Sequence, residues 1–162
     1  MKYFSTRDTE RKIAKSAAEA IKQGIAEDGG LFMPESIPAL ENGEIEKLCA
    51  LSYNERAAHI LSKFLTDYTY EELLSFADAA YSEDKFVGGA TDISALGATH
   101  RVLELFHGPT CAFKDMALSI LPYLMTTAAK KNGSGREIVI LTATSGDTGK
   151  AALAGFKDAD ET

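Results

Sequence analysis

The pattern of apolar positions changes character near residue 90. Before it, apolar side chains recur at helical spacing in successive blocks. Ile13, Ala17, Ala20, Ile21 and Gly24 predict an amphipathic helix over residues 10–23, with Asp8 or Thr9 as its cap and Gly24 as its stop. Ile45, Leu48 and Leu51 predict a short helical turn. A helix begun at Ser52 or Asn54 carries Ala57, Ala58, Ile60, Leu61, Phe64 and Leu65. The next begins at Thr69, which has capping-box spacing to Glu72, and presents Leu73, Leu74, Phe76, Ala77, Ala80 and Tyr81. Two short extended pieces, Lys2 to Phe4 and Leu31 to Met33, flank the first helix. Pro34 stops the second of them.

Gly88-Gly89 punctuates the chain, and the texture after it is that of alternating strand and helix. Ile93 to Leu96 and Arg101 to Phe106 predict strands. Residues 114–130 predict a helix facing inward through Met116, Ile120, Leu121 and Leu124, kinked or broken near Pro122. Glu137 to Ala143 is a β-branched run of the kind buried in a parallel sheet, and a loop and helix follow from Gly146 to Phe156. The expected fold class is therefore α/β. A mostly helical unit over residues 1–90 leads into the start of an open, largely parallel sheet over 91–162. Two parallel strands cannot cover both faces of such a sheet, so the expectation is a fragment whose sheet is completed elsewhere in a longer chain.

Composition narrows the function without naming it. The chain has 162 residues, 45% hydrophobic and 25% charged, which is ordinary globular usage. A net charge of -7 argues against a nucleic-acid partner, which would require clustered Lys and Arg. It leaves open a small anion held by backbone N–H groups. No apolar run reaches the length of a membrane span, and the opening residues lack a signal-peptide pattern. Two cysteines, Cys49 and Cys111, do not make a disulfide framework, so a reducing cytoplasm is expected. No Cys/His group has metal-ligand spacing.

Two loops stand out. Thr144-Ser145-Gly146-Asp147-Thr148-Gly149 joins the β-branched run to a helix, where open α/β sheets bind ligands. Its glycines permit close backbone approach, and the helix start attracts an anion. Taken alone it reads first as a plain cap, with Ser145 or Asp147 satisfying the first N–H groups and no ligand. A P-loop is excluded, because the pattern needs Gly where Thr144 stands and Ser or Thr where Ala151 stands. The other loop is Leu105-Phe106-His107-Gly108-Pro109-Thr110-Cys111-Ala112-Phe113-Lys114-Asp115. Most lysines are solvated. Lys114, however, sits among Ala112, Phe113, Met116 and Ala117, and an amine in apolar surroundings is a usable nucleophile or Schiff-base partner. Asp115 reads as a cap or ion-pair partner, Cys111 as a small filler, and His59, His100 and His107 as structural.

Taken together, the HGPT and FKD pieces followed by TSGDTG resemble threonine synthase, a fold type II enzyme dependent on pyridoxal 5'-phosphate (PLP). Tyr3 to Arg7, Ala18 to Ile21 and Asp28 to Pro34 resemble that family's opening, so the likeness spans nearly the whole chain. It implies that Lys114 carries PLP as an internal aldimine and shuttles protons at the substrate's α and β carbons. It implies that Phe113, Ser145, Gly146, Asp147 and Thr148 line the cofactor and the substrate carboxylate. Asp147 stands where many relatives place Asn near the PLP 3'-hydroxyl, so either a proton is shared there or Asp147 points elsewhere. The implied reaction takes O-phospho-L-homoserine and water to L-threonine and phosphate. The phosphate-cradling loop and the partner of the pyridine nitrogen are expected beyond residue 162. The isolated 162-residue chain is accordingly expected to be inactive without the remainder of the protein. The rival readings are another fold type II enzyme, such as threonine dehydratase or cysteine synthase, and a non-catalytic interaction module in which Lys114 is only a helix-start cation.

Overall fold

The computed structural model describes residues 1–133, 138–144, 146–157 and 159. Its elements run β1 (Tyr3–Ser5), α1 (Ala17–Gln23), β2 (Phe32–Pro34), α2 (Glu44–Cys49), α3 (Tyr53–Phe64), α4 (Tyr70–Ala80), β3 (Asp92–Leu96), β4 (His100–Glu104), α5 (Asp115–Leu118), α6 (Leu121–Lys131) and α7 (Asp147–Phe156). They gather into two compact units. The first takes in residues 1–75 and 127–133. The second takes in 76–126 and the described residues from 138 onward. Among the described residues no helix is long and apolar enough to cross a membrane.

In the first unit β1 and β2 pair antiparallel, with Tyr3 opposite Pro34 and Ser5 opposite Phe32. The connection between them is held by Asp28, whose Oδ1 accepts from Ser5 Oγ at 2.6 Å and from the Gly30 N–H at 2.9 Å. Gly30 is required here, since a Cβ would lie 2.1 Å from Ser5 Oγ. Helix α1 begins at Ala17 and not near residue 10. Lys15 is tied in extended form to Tyr3 by a reciprocal pair of 2.9 Å backbone bonds, which a helix could not make. Ser16 and Glu19 then form the capping box. Asp8 does not cap the helix; its carboxylate accepts from the Ile13 N–H at 2.9 Å. Ser52 with Glu55 makes a second box at α3, and Thr69 with Glu72 makes the same reciprocal bonds ahead of α4. Gly24 ends α1 with φ 74°.

The buried side chains are mostly alanines: Ala17, Ala18, Ala20, Ala26 and Ala58 in the first unit, and Ala77, Ala80, Ala90, Ala151 and Ala152 in the second. Small residues let backbones approach closely but bury little area each. Phe86 and Leu73 are the largest fully buried side chains. In the second unit Tyr81 meets Phe86 edge to face at 5.6 Å and donates to the Met116 carbonyl at 2.8 Å. Helix α7 packs on α5 so closely that a Cβ at Gly155 would lie 2.1 Å from the Leu118 carbonyl oxygen. The break predicted near Pro122 separates α5 from α6, and Pro122 occupies the first turn of α6, where its missing N–H is harmless.

The sheet departs from expectation. β3 and β4 form an antiparallel hairpin with Ile93 opposite Leu103, and no parallel pairing occurs among the described residues. Glu137 lies outside the described residues. Residues 138–144 belong to no strand, and Val139 and Leu141 are 73% and 91% exposed. A β-branched run suits a buried strand, but it forms one only where a neighbour takes its N–H and C=O groups and both faces are covered. No such neighbour stands beside it among the described residues.

A carboxylate ties α2 to α3. Glu44 is buried, and its Oε1 lies 2.6 Å from His59 Nε2 and 2.7 Å from Lys63 Nζ, while Oε2 accepts from the Glu41 N–H at 2.6 Å. These partners, Lys63 first, lower the Glu44 pKa from its ordinary 4.5 to about 2. A carboxyl held below its unfolded value stabilises the fold above that value and loses the contribution as pH falls through the folded one. In the full-length protein, wild type should therefore outlast Glu44→Gln in thermal unfolding at neutral pH. The gap in midpoints should shrink between about pH 4.5 and pH 2. A gap that stays constant across that range would contradict the assignment.

Candidate active site

The loop before α5 is built around Asp115, which is 2% exposed. Gly108 to Cys111 is a β-turn closed by the Cys111 N–H on the Gly108 carbonyl at 3.1 Å, with Pro109 at the position whose φ it presets. Thr110 is buried and turns both its donors onto Asp115. Its N–H reaches Oδ2 at 2.8 Å, and its hydroxyl reaches Oδ1 at 2.8 Å. Gly108 lies against the same carboxylate, and a Cβ there would sit 2.5 Å from Asp115 Cβ. Cys111 pays the conformational cost of this closure with φ 56°, the left-handed region that costs a non-glycine residue about 1 kcal/mol. The Asp115 N–H on the Ala112 carbonyl at 3.0 Å completes the return of the chain.

Lys114 sits at the N-cap position of α5, where its carbonyl accepts from the Leu118 N–H at 2.9 Å and its side chain makes no cap hydrogen bond. It is half-buried. Its Nζ lies 4.8 Å from the centre of the Phe113 ring, which is itself 59% exposed. Among the described residues no carboxylate pairs with that amine. Just upstream, His107 stacks on Phe106 with ring centres 4.8 Å apart, and its Nε2 lies 2.9 Å from Glu104 Oε2; Ser94 Oγ also bonds that glutamate. His107 is thus engaged with the end of the hairpin. His59 is bound to Glu44.

At the second loop, Ser145 lies outside the described residues. Gly146 is the N-cap of α7 with φ 152° and no side-chain cap, Asp147 opens the helix, and Thr148 is exposed in its first turn. The capping oxygen belongs to Thr144. Its Oγ1 accepts from the Gly149 N–H at 2.8 Å and, more weakly, from the Gly146 N–H at 3.4 Å. A Cβ at Gly149 would meet that same oxygen at 2.7 Å. Lys114 with Phe113 forms one cluster and Gly146 to Thr148 another. The packing of α5 on α7 joins the two helices that carry them. The sequence reading singled out neither Thr110 nor Thr144; the available signal was a Thr five residues before an Asp or a Gly at a helix start.

The residues at hand fit the aldehyde end of PLP by their chemistry: a half-buried primary amine without an ion-pair partner among the described residues, next to an open aromatic ring. Comparison with known proteins agrees. A family profile described as "Threonine synthase N terminus" matches residues 2–81. The threonine synthase of Pseudomonas aeruginosa is 35% identical over 99% of this chain and 33% of its own length. That of Schizosaccharomyces pombe is 39% identical over 96% of this chain and 31% of its own. A crystal structure of PLP-bound threonine synthase from Brucella melitensis superposes with TM-score 0.88 at 35% identity, covering 99% of this chain and 34% of that one. The chain thus has the fold of a segment of a fold type II enzyme and spans about a third of the length of these relatives. Over nearly its whole length it is similar to threonine synthases.

The capping assignment is open to test. Thr144→Val keeps the shape and removes the acceptor, and should destabilise the full-length protein by about 1 kcal/mol in denaturant unfolding. Thr144→Ser, which keeps the oxygen, should retain most of that stability. Equal losses in the two variants would show that the methyl group matters and the cap does not.

Proposed function

We propose that the whole protein is a PLP-dependent lyase of threonine biosynthesis, converting O-phospho-L-homoserine and water to L-threonine and phosphate. The observation that carries this reading is the half-buried Lys114 amine, 4.8 Å from the centre of the Phe113 ring and without a carboxylate partner among the described residues. The likeness to a PLP-bound threonine synthase supports it over nearly the whole chain. PLP, when bound, supplies the electron sink that such a reaction requires.

The chain's own residues then have these roles. Lys114 holds the cofactor covalently and afterwards takes and returns protons at the substrate's α and β carbons, a task suited to an amine with no carboxylate fixing its proton. Phe113 flanks the amine and keeps water from one side of it. Ser145, Gly146, Asp147 and Thr148 face the ring and the substrate carboxylate, where the start of α7 favours an anion. We place the protein in the cytoplasm, consistent with the free and exposed thiols of Cys49 and Cys111. Threonine dehydratase and cysteine synthase chemistry are disfavoured, since the matching family profile and the relatives named above are threonine synthases.

The test is covalent capture. When full-length protein is incubated with PLP and reduced with borohydride, the label should map to Lys114. Lys114→Ala should lose both the label and at least about a hundredfold of phosphate release from O-phosphohomoserine. The isolated 162-residue chain should release none. A label on another lysine would remove the site assignment. No label, together with no phosphate release, would favour the interaction module.

A further inference from the structure

We propose that Asp115 and Thr110 act together as a positioning latch for the Lys114 amine; this rests on Lys114 being the lysine that captures PLP. Asp115 follows Lys114 directly, so whatever fixes its carboxylate fixes the backbone from which the amine projects. That carboxylate is almost wholly removed from water, and both of its oxygens are occupied by one residue, Thr110, four positions before Lys114.

The surroundings leave the latch little alternative. Gly108 is pressed against the Asp115 side chain so tightly that no other residue fits there. The Gly108–Cys111 turn presents Thr110 inward, and Cys111 accepts a left-handed backbone to bring the chain back. A carboxylate at this depth without its donors would bear the full cost of an unsatisfied buried charge. The loop is therefore held closed by the need to satisfy Asp115, and Lys114 is carried on the closed form.

Loop closure puts the amine beside Phe113 before any cofactor arrives, so capture of PLP need not wait for the loop to order. Weakening the latch should slow capture even where the protein stays folded. The two residues touch neither cofactor nor substrate in this account; they act through the backbone of Lys114.

The experiment compares Thr110→Val and Thr110→Ser in the full-length protein. It follows the rate at which PLP becomes fixed to Lys114 by borohydride, read by peptide mass. Thermal midpoints confirm that each variant is folded. Thr110→Val keeps the volume and loses one bond to the carboxylate, and should slow capture about ten- to a hundredfold. Thr110→Ser keeps the hydroxyl and should stay within about fourfold of wild type, the worth of one buried methyl. Asp115→Ala, which removes both acceptors, should be at least as slow as Thr110→Val. The latch is overturned if Thr110→Val captures PLP as fast as wild type, or if Thr110→Ser is slowed as much as Thr110→Val. A wild-type label away from Lys114 overturns the underlying assignment and the latch with it. A wild-type label on Lys114 with an unaffected Thr110→Val overturns the latch alone.

Discussion

A carboxylate taken out of water must be given donors, and in this chain that requirement organises the loop that bears Lys114. Asp115 has Thr110 on both oxygens and Gly108 against its side chain. None of these three could change independently. A larger residue at 108 collides, an apolar one at 110 strands an oxygen, and an apolar one at 115 leaves two buried donors without their acceptor. Lys114 and Phe113 inherit their places from this arrangement.

Much of the helical framework was legible from local sequence. Ser52 with Glu55 and Thr69 with Glu72 carry their capping chemistry within four residues, and so do Gly24 and Pro122. The first helix shows where local reading fails. Periodicity from Ile13 onward suggested a start near residue 10, but Lys15 is claimed by Tyr3, twelve positions earlier. The β-branched run at 137–143 fails for the same kind of reason. Its composition states what environment it would suit, whereas pairing depends on a neighbour that no local pattern can supply. The lysine stood out in the sequence for its apolar neighbours, of which Ala112 is buried while Phe113 and Ala117 are exposed. Its latch did not, because a Thr-to-Asp bond leaves no periodic trace.

The second loop repeats the logic of the first. Thr110 bonds a residue five positions on, Asp115, and Thr144 bonds a residue five positions on, Gly149. In each loop a glycine is pressed against the bonded atoms where no Cβ could stand. In the first the threonine donates to a carboxylate, and in the second its hydroxyl accepts from a helix N–H, but both bonds draw the loop onto the start of the helix that follows. The residues enclosed are Cys111 to Lys114 in one case and Ser145 to Thr148 in the other. Every residue proposed to meet the cofactor lies between a threonine and its fifth neighbour. Holding reactive groups in place costs conformational entropy, which must be met before the ligand binds if binding is not to bear it. Two short loops, each fastened by a single threonine, meet that cost with few atoms.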